Sequence, residues 1–504
     1  MVLADKIEKE SFSVNQIVQN KKDVYIIESD CIVPDVKPDI IEIISTNGIL
    51  NIYKKEVMDG KIVVTGSINT YIDYIGENNG NRGIRCINHS MDFSQIIQLE
   101  NVNSSMNDEC NIVLNNIRAK IINERKVNIK AELGFDISVL DVKKCDFIKN
   151  IDLDEIQKRD RIIQTNSLIS CGSTKTSINE KQEVDIADIV AEILRVNAIF
   201  KDTETKNSVN KVMIKSDLVL EILYVTEDGR INKSRAVYPV MGFIESEGIS
   251  DNIVVVPFIN VSNSIVKINS SQANCFDVDV EVSISASIYE NKEINIIDDL
   301  YSTKRMLKME KQKIQSFQNL NIIKGRESFS TKDGLNIENG TIIDIDSKII
   351  NKEVNCVDSK IRVKIEVETK TIYLNEKITT SKNVNTIEFD INNQSVNSNT
   401  ISNISLNIIN ENYTVMSGGN VEIRFDVEYI AKIRNVVNIN VISNVEEEEN
   451  KKIDNCNMSI YFTTSKDTLW GISKKFMTNQ DIIMKNNNLS SEDIRPGMQL
   501  FIIK

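Results

Sequence analysis

Alternating apolar and polar positions run through most of the chain and predict long β-strands. The clearest example has an apolar residue at every second position, at Phe276, Val278, Val280, Val282 and Ile284. A period of two places these side chains on one face of a half-buried strand. Only 5 prolines and 18 glycines interrupt the 504 residues, and β-branched residues are frequent. Both features favour strands, so the sequence predicts a mainly β protein.

One strand pattern that ends in tyrosine occurs three times, at intervals of about 150 residues, which is the signature of a duplicated domain. Its copies occupy residues 62–74, 212–224 and 361–373. An apolar strand precedes each copy, at residues 42–53, 192–200 and 341–350. Two further strands close each unit, at residues 112–122 with 127–139, 259–268 with 276–288, and 401–409 with 421–430. We therefore predict three tandem antiparallel β domains.

Turns and charged segments suggest where the units begin and end. Residues 76–80 and 226–230 contain glycine after a tyrosine strand and fit β-hairpins. Residues 151–163 and 298–317 are charged and partly helical in pattern, so we predict linkers or connecting helices there. The predicted units are a first β repeat at 1–148, a second with its connecting helix at 149–312, a third at 313–442, an acidic linker at 443–457 and a terminal module at 458–504.

The acidic linker carries four consecutive glutamates at 446–449. A run of like charges is typical of a solvated tether. We expect such a tether to let the terminal module search for a partner independently.

Residues 458–504 predict a small module with the order strand, helix, helix, strand. Its elements are a strand at residues 460–462, a helix with Leu469, Ile472 and Phe476 on one face, a second helix after residues 478–481, and a strand at residues 499–503. Asp467 is placed to cap the first helix by accepting backbone N–H bonds. Residues 478–481, Thr-Asn-Gln-Asp, have the pattern of a capping box. Pro496 and Gly497 fit a tight turn before the last strand.

This order, with Asp-Thr-Leu-Trp at 467–470, Asn-Asn-Leu at 487–489 and Pro-Gly at 496–497, resembles a LysM domain. The resemblance implies that the loop at the Asp-Thr pair and the loop at Pro-Gly form a groove for N-acetylglucosamine chains. The family usually has glycine before the Asp-Thr pair, whereas Lys466 stands there in this chain. A long cationic side chain at the groove counts against ordinary glycan binding.

Trp470 is the only tryptophan in the chain. It lies about 100° round the first helix from Leu469, so we expect it to be at least half exposed. Two interpretations stay open: Trp470 covers the flank of a small core, or it contacts a partner, as exposed tryptophan often does. The second predicts one aromatic patch for a protein or glycan partner, formed by Lys466, Asp467, Thr468, Trp470 and Lys474, with Ile494, Arg495, Pro496 and Gly497 across the groove.

Three β repeats followed by a LysM domain are similar to spore coat assembly proteins of the SipL and SpoVID type, whose repeats are called DUF3794 or SPOCS domains. Residues 33–39, Val-Pro-Asp-Val-Lys-Pro-Asp, match that family's Leu/Ile-Pro-x-x-Lys-Pro-Asp motif. The motif degenerates at residues 184–188 and is lost in the third repeat, so we interpret it as a rigid, polyproline-like lead-in rather than a shared functional site.

The resemblance implies a scaffold of the mother-cell cytoplasm that is recruited to the forespore surface and the spore coat. It also implies that the LysM domain contacts the coat's basement-layer ATPase, SpoIVA, while the repeats engage other coat components. The alternative is a spore-envelope protein that binds peptidoglycan or N-acetylglucosamine through its LysM domain, with the β domains as spacers.

Composition narrows the classes of function. The formal net charge is −13, with 73 acidic against 60 basic residues, which argues against nucleic-acid binding as the main role. The amino terminus lacks an apolar core of signal-peptide length, and no run of about 18 apolar residues occurs, so we expect a cytosolic protein without a transmembrane segment. Eight cysteines without a C-x-x-C pair favour reduced or buried thiols over a metal site or disulfides.

Candidate catalytic residues are few. The single histidine, His89, has no motif around it, and we expect a surface residue rather than a base. Residues 76–83 are rich in glycine but lack the Gly-Lys-Ser/Thr ending of a phosphate loop, and they fit a hairpin loop better. We expect no enzymatic activity, no catalytic residue, no cofactor and no metal.

Overall fold

The computed structural model describes residues 6–78, 81–247, 252–335, 337, 340–375, 377–448 and 458–503. The predicted mainly β fold is confirmed, because each of the three repeats contributes six strands in the same order. The first repeat has β1 (Ile7–Ile32), β2 (Ile40–Met58), β3 (Lys61–Asn78), β4 (Asn81–Gln98), β5 (Asn107–Asn123) and β6 (Lys126–Ile151). The second has β7 (Ile156–Glu183), β8 (Val190–Ser208), β9 (Lys211–Thr226), β10 (Ile231–Glu245), β11 (Ile253–Ile268) and β12 (Cys275–Ser302). The third has β13 (Leu307–Asp333), β14 (Thr341–Val357), β15 (Lys360–Leu374), β16 (Ile378–Asn392), β17 (Thr400–Val415) and β18 (Val421–Glu447).

Each repeat folds into two three-stranded antiparallel sheets. In the first repeat, β3 lies between β2 and β4, and β6 lies between β1 and β5. The second repeat follows the same scheme with β9 and β12 as central strands, and the third with β15 and β18. The three tyrosine strands are therefore the centres of equivalent sheets, and the predicted pairing with the preceding apolar strands is confirmed. The hairpin predicted at 226–230 joins β9 to β10, whereas residues 79 and 80 of the other predicted turn lie outside the described part of the chain.

Each repeat buries its own core between its two sheets. In the first repeat, Ile62 and Val64 of β3 share one apolar cluster with Val127 and Ile129 of β6. The alternation predicted in β12 is confirmed, since Phe276, Val278, Val280, Val282 and Ile284 are all at most 2% exposed. Burial of such a side chain contributes about 1.5–3 kcal/mol, so the alternating strands account for much of the stability of each repeat.

The segments predicted to be linkers or connecting helices are strands. Residues 151–163 contain the end of β6 and the start of β7, and residues 298–317 contain the end of β12 and the start of β13. The boundaries predicted at 148/149, 312/313 and 442/443 accordingly fall inside β6, β13 and β18. Glu446 and Glu447, predicted to belong to a solvated linker, end β18, and residues 449–457 of that linker lie outside the described residues.

The three repeats are joined at the centre of the molecule by the ends of their longest strands. The pairs β1–β6, β7–β12 and β13–β18 each contact the other two pairs. One apolar cluster takes side chains from all three repeats: Phe12, Val14, Cys145 and Phe147 from the first, Ile163 and Ile296 from the second, and Ile314, Ile439 and Val441 from the third. The repeats therefore form one body around a shared core.

Charged groups from all three repeats are also buried together. Arg195 of β8 lies 2.5 Å from Asp344 and 3.8 Å from Asp346 of β14, measured from its Nη1 to the nearest carboxylate oxygens. Lys233 of β10 lies 2.8 Å from the other oxygen of Asp344. Asp73 of β3 completes the group, and burial raises its pKa to about 7 against the opposing influence of Arg195. We call Asp73, Arg195, Asp344 and Asp346 the buried charge cluster; Lys233, whose side chain is 36% exposed, pairs with it from the surface.

A second buried contact also joins the three repeats. Glu109 of β5 accepts a hydrogen bond of 2.5 Å from the Tyr289 hydroxyl of β12 and forms an ion pair with Lys432 of β18. The guanidinium of Arg434 lies over the ring of Phe317 at 4.3 Å. The lysine and the neighbouring arginine lower the pKa of Glu109 although burial alone would raise it. Each repeat thus supplies one polar group to this buried contact.

The proline-containing residues 33–39 form a turn rather than the predicted polyproline-like lead-in. The Lys37 amide donates to the Pro34 carbonyl at 2.9 Å, and Arg125 donates to the carbonyls of Val33, Pro34 and Lys37 at 2.8–3.1 Å. The Lys37 side chain forms an ion pair with Glu192 of the second repeat. The motif therefore contributes to the contact between the first two repeats.

Within the residues that the structure describes, no helix is both long and apolar enough to span a bilayer.

Candidate functional site

The terminal module has the predicted strand, helix, helix, strand order. Its elements are β19 (Met458–Phe462), α1 (Leu469–Phe476), α2 (Gln480–Asn486) and β20 (Gln499–Ile503). The two strands pair antiparallel, and the core consists of Leu469, Ile472, Ile483, Leu500 and Ile502. Phe476 packs against this core from its edge, so the predicted apolar face of α1 is confirmed.

Thr468 caps α1, and the prediction that Asp467 does so was wrong. The Thr468 hydroxyl accepts a hydrogen bond of 3.1 Å from the amide of Gly471. The Asp467 carboxylate instead closes the preceding loop, because it accepts from the amide of Thr464 at 2.7 Å and from the hydroxyl of Tyr461 at 3.0 Å. The bond from the Thr464 amide is the main reason that the pKa of Asp467 lies below its ordinary value.

Thr463 holds together the two loops that were predicted to border the groove. Its hydroxyl donates to the Arg495 carbonyl at 2.5 Å and accepts from the Met498 amide at 2.9 Å. The Gly497 amide donates to the Thr463 carbonyl at 2.7 Å, and Gly497 has the positive φ of 82° that the predicted turn requires. Lys466, Thr468, Arg495, Pro496 and Gly497 are exposed on these loops, and Ile494 is partly buried.

We expect Thr463→Val to loosen this pair of loops. Valine keeps the volume but removes both hydroxyl hydrogen bonds, each worth about 0.5–1.5 kcal/mol, and leaves the Met498 amide with only its longer bond of 3.2 Å to the Arg495 carbonyl. Hydrogen exchange at the β19 and β20 amides of the full chain measures the change as lower protection of the module. Ser490→Ala, at an exposed position of the same module, is the control and should change protection by less than about 0.5 kcal/mol. Equal protection in the two variants would show that Thr463 does not fix the loops.

Trp470 and Lys474 contact the second repeat. The Trp470 Nε1 donates to one oxygen of Asp299 at 2.9 Å, and the Lys474 Nζ donates to the other at 2.6 Å. The ring of Tyr301 meets the Trp470 ring edge-on, with centroids 5.0 Å apart, and the guanidinium of Arg159 lies 5.6 Å from the Trp470 ring. Trp470 is therefore partly buried, and the expectation that at least half of it is exposed was wrong.

The Asp299 carboxylate is the charged centre of this contact. Burial raises its pKa, but the hydrogen bonds from Lys474 and Trp470 outweigh that effect and leave the pKa below its ordinary value. Burial raises the pKa of Tyr301 to about 12, so its hydroxyl remains protonated at neutral pH and donates to the Thr478 carbonyl at 2.8 Å. Hydrogen bonds to an ionised acceptor are roughly twice as strong as neutral ones. The terminal module is thus bound to the second repeat. This contradicts the expectation that the acidic tether lets the module search for a partner independently.

Sequence reasoning missed Asp299, Tyr301 and Arg159 because they lie far from the module along the chain. Asp298 and Asp299 fall in a charged segment that had been interpreted as a linker. The available signal was Tyr301, an aromatic residue two positions after Asp299.

His89 lies on β4 and is partly buried. Its Nε2 is 2.9 Å from the Ser29 hydroxyl, and burial lowers its pKa. A search of the described residues finds no group of three or more histidine, cysteine or acidic side chains suited to a metal ion.

Comparison with protein families agrees with these two kinds of domain. The family described as the SipL SPOCS domain matches residues 39–122, which span β2 to β5 of the first repeat, and the LysM domain family matches residues 463–502. No curated protein and no solved structure gave a significant match. The chain therefore contains a SipL SPOCS domain and a LysM domain, a combination similar to that of spore coat proteins of the SipL/SpoVID type.

Proposed function

We propose that this protein is a non-enzymatic scaffold that links the basement layer of the spore coat to other coat or forespore components. The basement-layer partner would be a SpoIVA-type ATPase, and the protein would act in the mother-cell cytoplasm and be recruited to the forespore surface. The observation that carries the proposal is the presence of a SipL SPOCS domain and a LysM domain in one chain. Such a chain can hold two kinds of partner at once.

The exposed loops of the LysM domain suit a protein partner. Lys466 replaces the usual glycine beside the groove, and Arg495 stands on the opposite loop. Both side chains are exposed, so they favour a partner with acidic groups at the matching positions. A neutral glycan gains little from two cations at the edge of its groove.

The packing of the repeats supports a scaffold of fixed shape. The three repeats share a central core and buried charges, so surfaces on different repeats keep constant distances from one another. Several weak contacts on such a body strengthen one another when the partner presents its sites at matching distances.

Capture of the SpoIVA-type ATPase by the full chain tests the proposal. We expect Lys466→Glu combined with Arg495→Glu to weaken capture by more than about tenfold, because like charges at an interface cost several kcal/mol. Lys22→Glu is the control, since Lys22 is 82% exposed on the first repeat and far from the LysM domain in sequence. A chain that ends at Glu448 should lose capture as well. Undiminished capture by the double variant and by the shortened chain would contradict the proposal.

The LysM match also favours a second candidate function, binding of peptidoglycan or N-acetylglucosamine chains. Titration of the full chain with N-acetylglucosamine oligomers distinguishes it. Saturable binding that Trp470→Ala abolishes would support the glycan function over the protein partner.

A further inference from the structure

We propose that the second repeat is a binding site for the chain's own LysM domain, and that this docked state covers the Trp470 face of the domain against outside partners. Only the identity of the outside partner rests on the proposed function. We call the contact of Arg159, Asp299 and Tyr301 with α1 and with Thr478, the second residue after it, the LysM dock.

The LysM dock uses one complete face of α1. Trp470 and Lys474 are four residues apart and lie on the same side of the helix, and the backbone carbonyl of Thr478 follows two residues after the helix ends. Asp299 binds the first two and Tyr301 binds the third. The opposite face of the helix carries Leu469 and Ile472 into the core of the domain. The helix is therefore held between its own core and the second repeat.

Three kinds of interaction act together in the dock. Asp299 accepts two hydrogen bonds, one of them from a cation. The edge-on rings of Tyr301 and Trp470 add an aromatic contact of the kind worth about 0.5–1.5 kcal/mol beyond burial, and the cation of Arg159 faces the same indole. Because each interaction involves a different chemical group, the site selects a helix that presents both an aromatic ring and a cation.

The strand register shows that the second repeat alone carries this combination. Asp299 pairs with Arg159 immediately after a β-bulge, and the same position in the other repeats is Asn150 paired with Glu8, or Asn444 paired with Glu310. The counterparts of Tyr301, two residues further on, are Asp152 and Glu446. At these positions the first and third repeats therefore have an asparagine, an acidic residue in place of Tyr301 and an acidic residue in place of Arg159. They offer neither an aromatic ring to contact Trp470 nor a cation to lie over it. The repeats share a fold, but one of them has diverged toward the LysM domain.

Docking divides the predicted partner patch in two. Lys466, Thr468 and the loop at Arg495 stay exposed, whereas Trp470 and Lys474 are engaged by Asp299. An outside partner that needs the indole must bind the undocked chain, and its apparent affinity falls in proportion to the undocked fraction. Release of the dock is then a step in partner binding.

The single tryptophan makes the dock directly measurable in the full chain. The double variant Asp299→Asn with Tyr301→Asp gives the second repeat the pair that the first repeat has at Asn150 and Asp152. We expect its Trp470 fluorescence to shift to longer wavelength and to be quenched more strongly by acrylamide. Lys474→Glu places a second carboxylate beside that of Asp299 and leaves the repeats unaltered. We expect it to cause the same shift and the same increase in quenching. Asp390→Asn, at a partly exposed carboxylate on β16 that pairs with Arg362, is the control and should leave the fluorescence unchanged.

Capture of the SpoIVA-type ATPase then tests the masking. If about one chain in ten is undocked, the Asp299→Asn, Tyr301→Asp variant should bind the ATPase about tenfold more tightly than the unaltered chain. Unchanged fluorescence in both dock variants would overturn the dock, and a freed tryptophan without tighter capture would overturn the masking. If neither the variant nor the unaltered chain captures the ATPase, the proposed partner is wrong, and masking toward that partner is overturned with it. The existence of the dock is decided by fluorescence alone.

Discussion

Replacement of Arg195 by alanine is expected to lower the free energy of unfolding by about 3–5 kcal/mol, the usual effect of removing one partner from a buried ion pair. Arg195 is 2% exposed and is the cation nearest to Asp344, and it also lies 3.8 Å from Asp346, whose nearest cation is Lys348 at 3.0 Å. Without it, Lys233 remains the closest cation to Asp344, and two carboxylates stay buried with one cation fewer. Because these residues belong to different repeats, the loss acts on the packing of the whole body. Guanidinium unfolding followed by far-ultraviolet circular dichroism measures it.

Arg362→Ala is the matched control for that prediction. Arg362 lies 3.2 Å from Asp390, but its side chain is 64% exposed, and exposed pairs contribute only about 0–1 kcal/mol. Asp344→Asn added to Arg195→Ala should recover part of the stability, because it removes one of the stranded charges. Equal losses for Arg195→Ala and Arg362→Ala would mean that the buried charge cluster does not hold the repeats together.

The position of Arg195 shows what the sequence could and could not predict. The strand at 192–200 was predicted from its apolar residues, and its pairing with the tyrosine strand was confirmed. A charged side chain on such a strand normally faces solvent. Arg195 is buried because the third repeat covers that face, and its partners lie far along the chain. Local pattern therefore identified the strand but not the interface between repeats.

The strand ends at the boundaries between repeats were wrongly predicted to be linkers for a different reason. In β12 the pairing shifts between Ile288 and Tyr289 and again between Ile297 and Asp299. The first shift adds Ile169 to the partner strand β7 and the second adds Asp298 to β12, and an added residue moves the alternation of its own strand to the other face. The apolar residues near these shifts no longer follow a period of two, and the surrounding charges then look like a linker.

The LysM loops were predictable, whereas the dock was not. Short motifs around Asp467 and Pro496 identify the domain, and the structure brings their loops together through Thr463. The dock depends on Asp299 and Tyr301, whose nearness to Trp470 follows from the arrangement of all three repeats. Helix periodicity did place Trp470 away from the domain's core, which is why another surface can cover it.

Stability is expected to fall as the pH rises from about 5 to 7, because buried carboxyl groups lose their protons in that range. Burial raises the pKa of Asp73 to about 7, opposed mainly by Arg195, and raises the pKa of Glu411 to about 7, opposed mainly by Ser347. Between the ordinary carboxyl pKa near 4 and the folded value near 7, the folded protein binds more protons than the unfolded chain. The free energy of unfolding therefore decreases with rising pH, by about 2 kcal/mol per group between pH 5 and 7.

Asp73→Asn isolates one of these two contributions. The variant cannot ionise at this position, so we expect its loss of stability between pH 5 and 7 to be about 2 kcal/mol smaller than that of the unaltered protein. His89 acts in the opposite direction, because its lowered pKa makes the unfolded chain bind more protons, but that effect is the same in both proteins and cancels in the comparison. Lys370, whose pKa burial lowers to about 8, changes its charge above this range.

Asp390→Asn is the control: hydrogen bonds from Arg362 and Lys360 lower the pKa of Asp390, so its effect is confined to more acidic solutions. Parallel pH profiles for Asp73→Asn and the unaltered protein would show that Asp73 ionises at its ordinary pKa and that the meeting point of the three repeats is open to water.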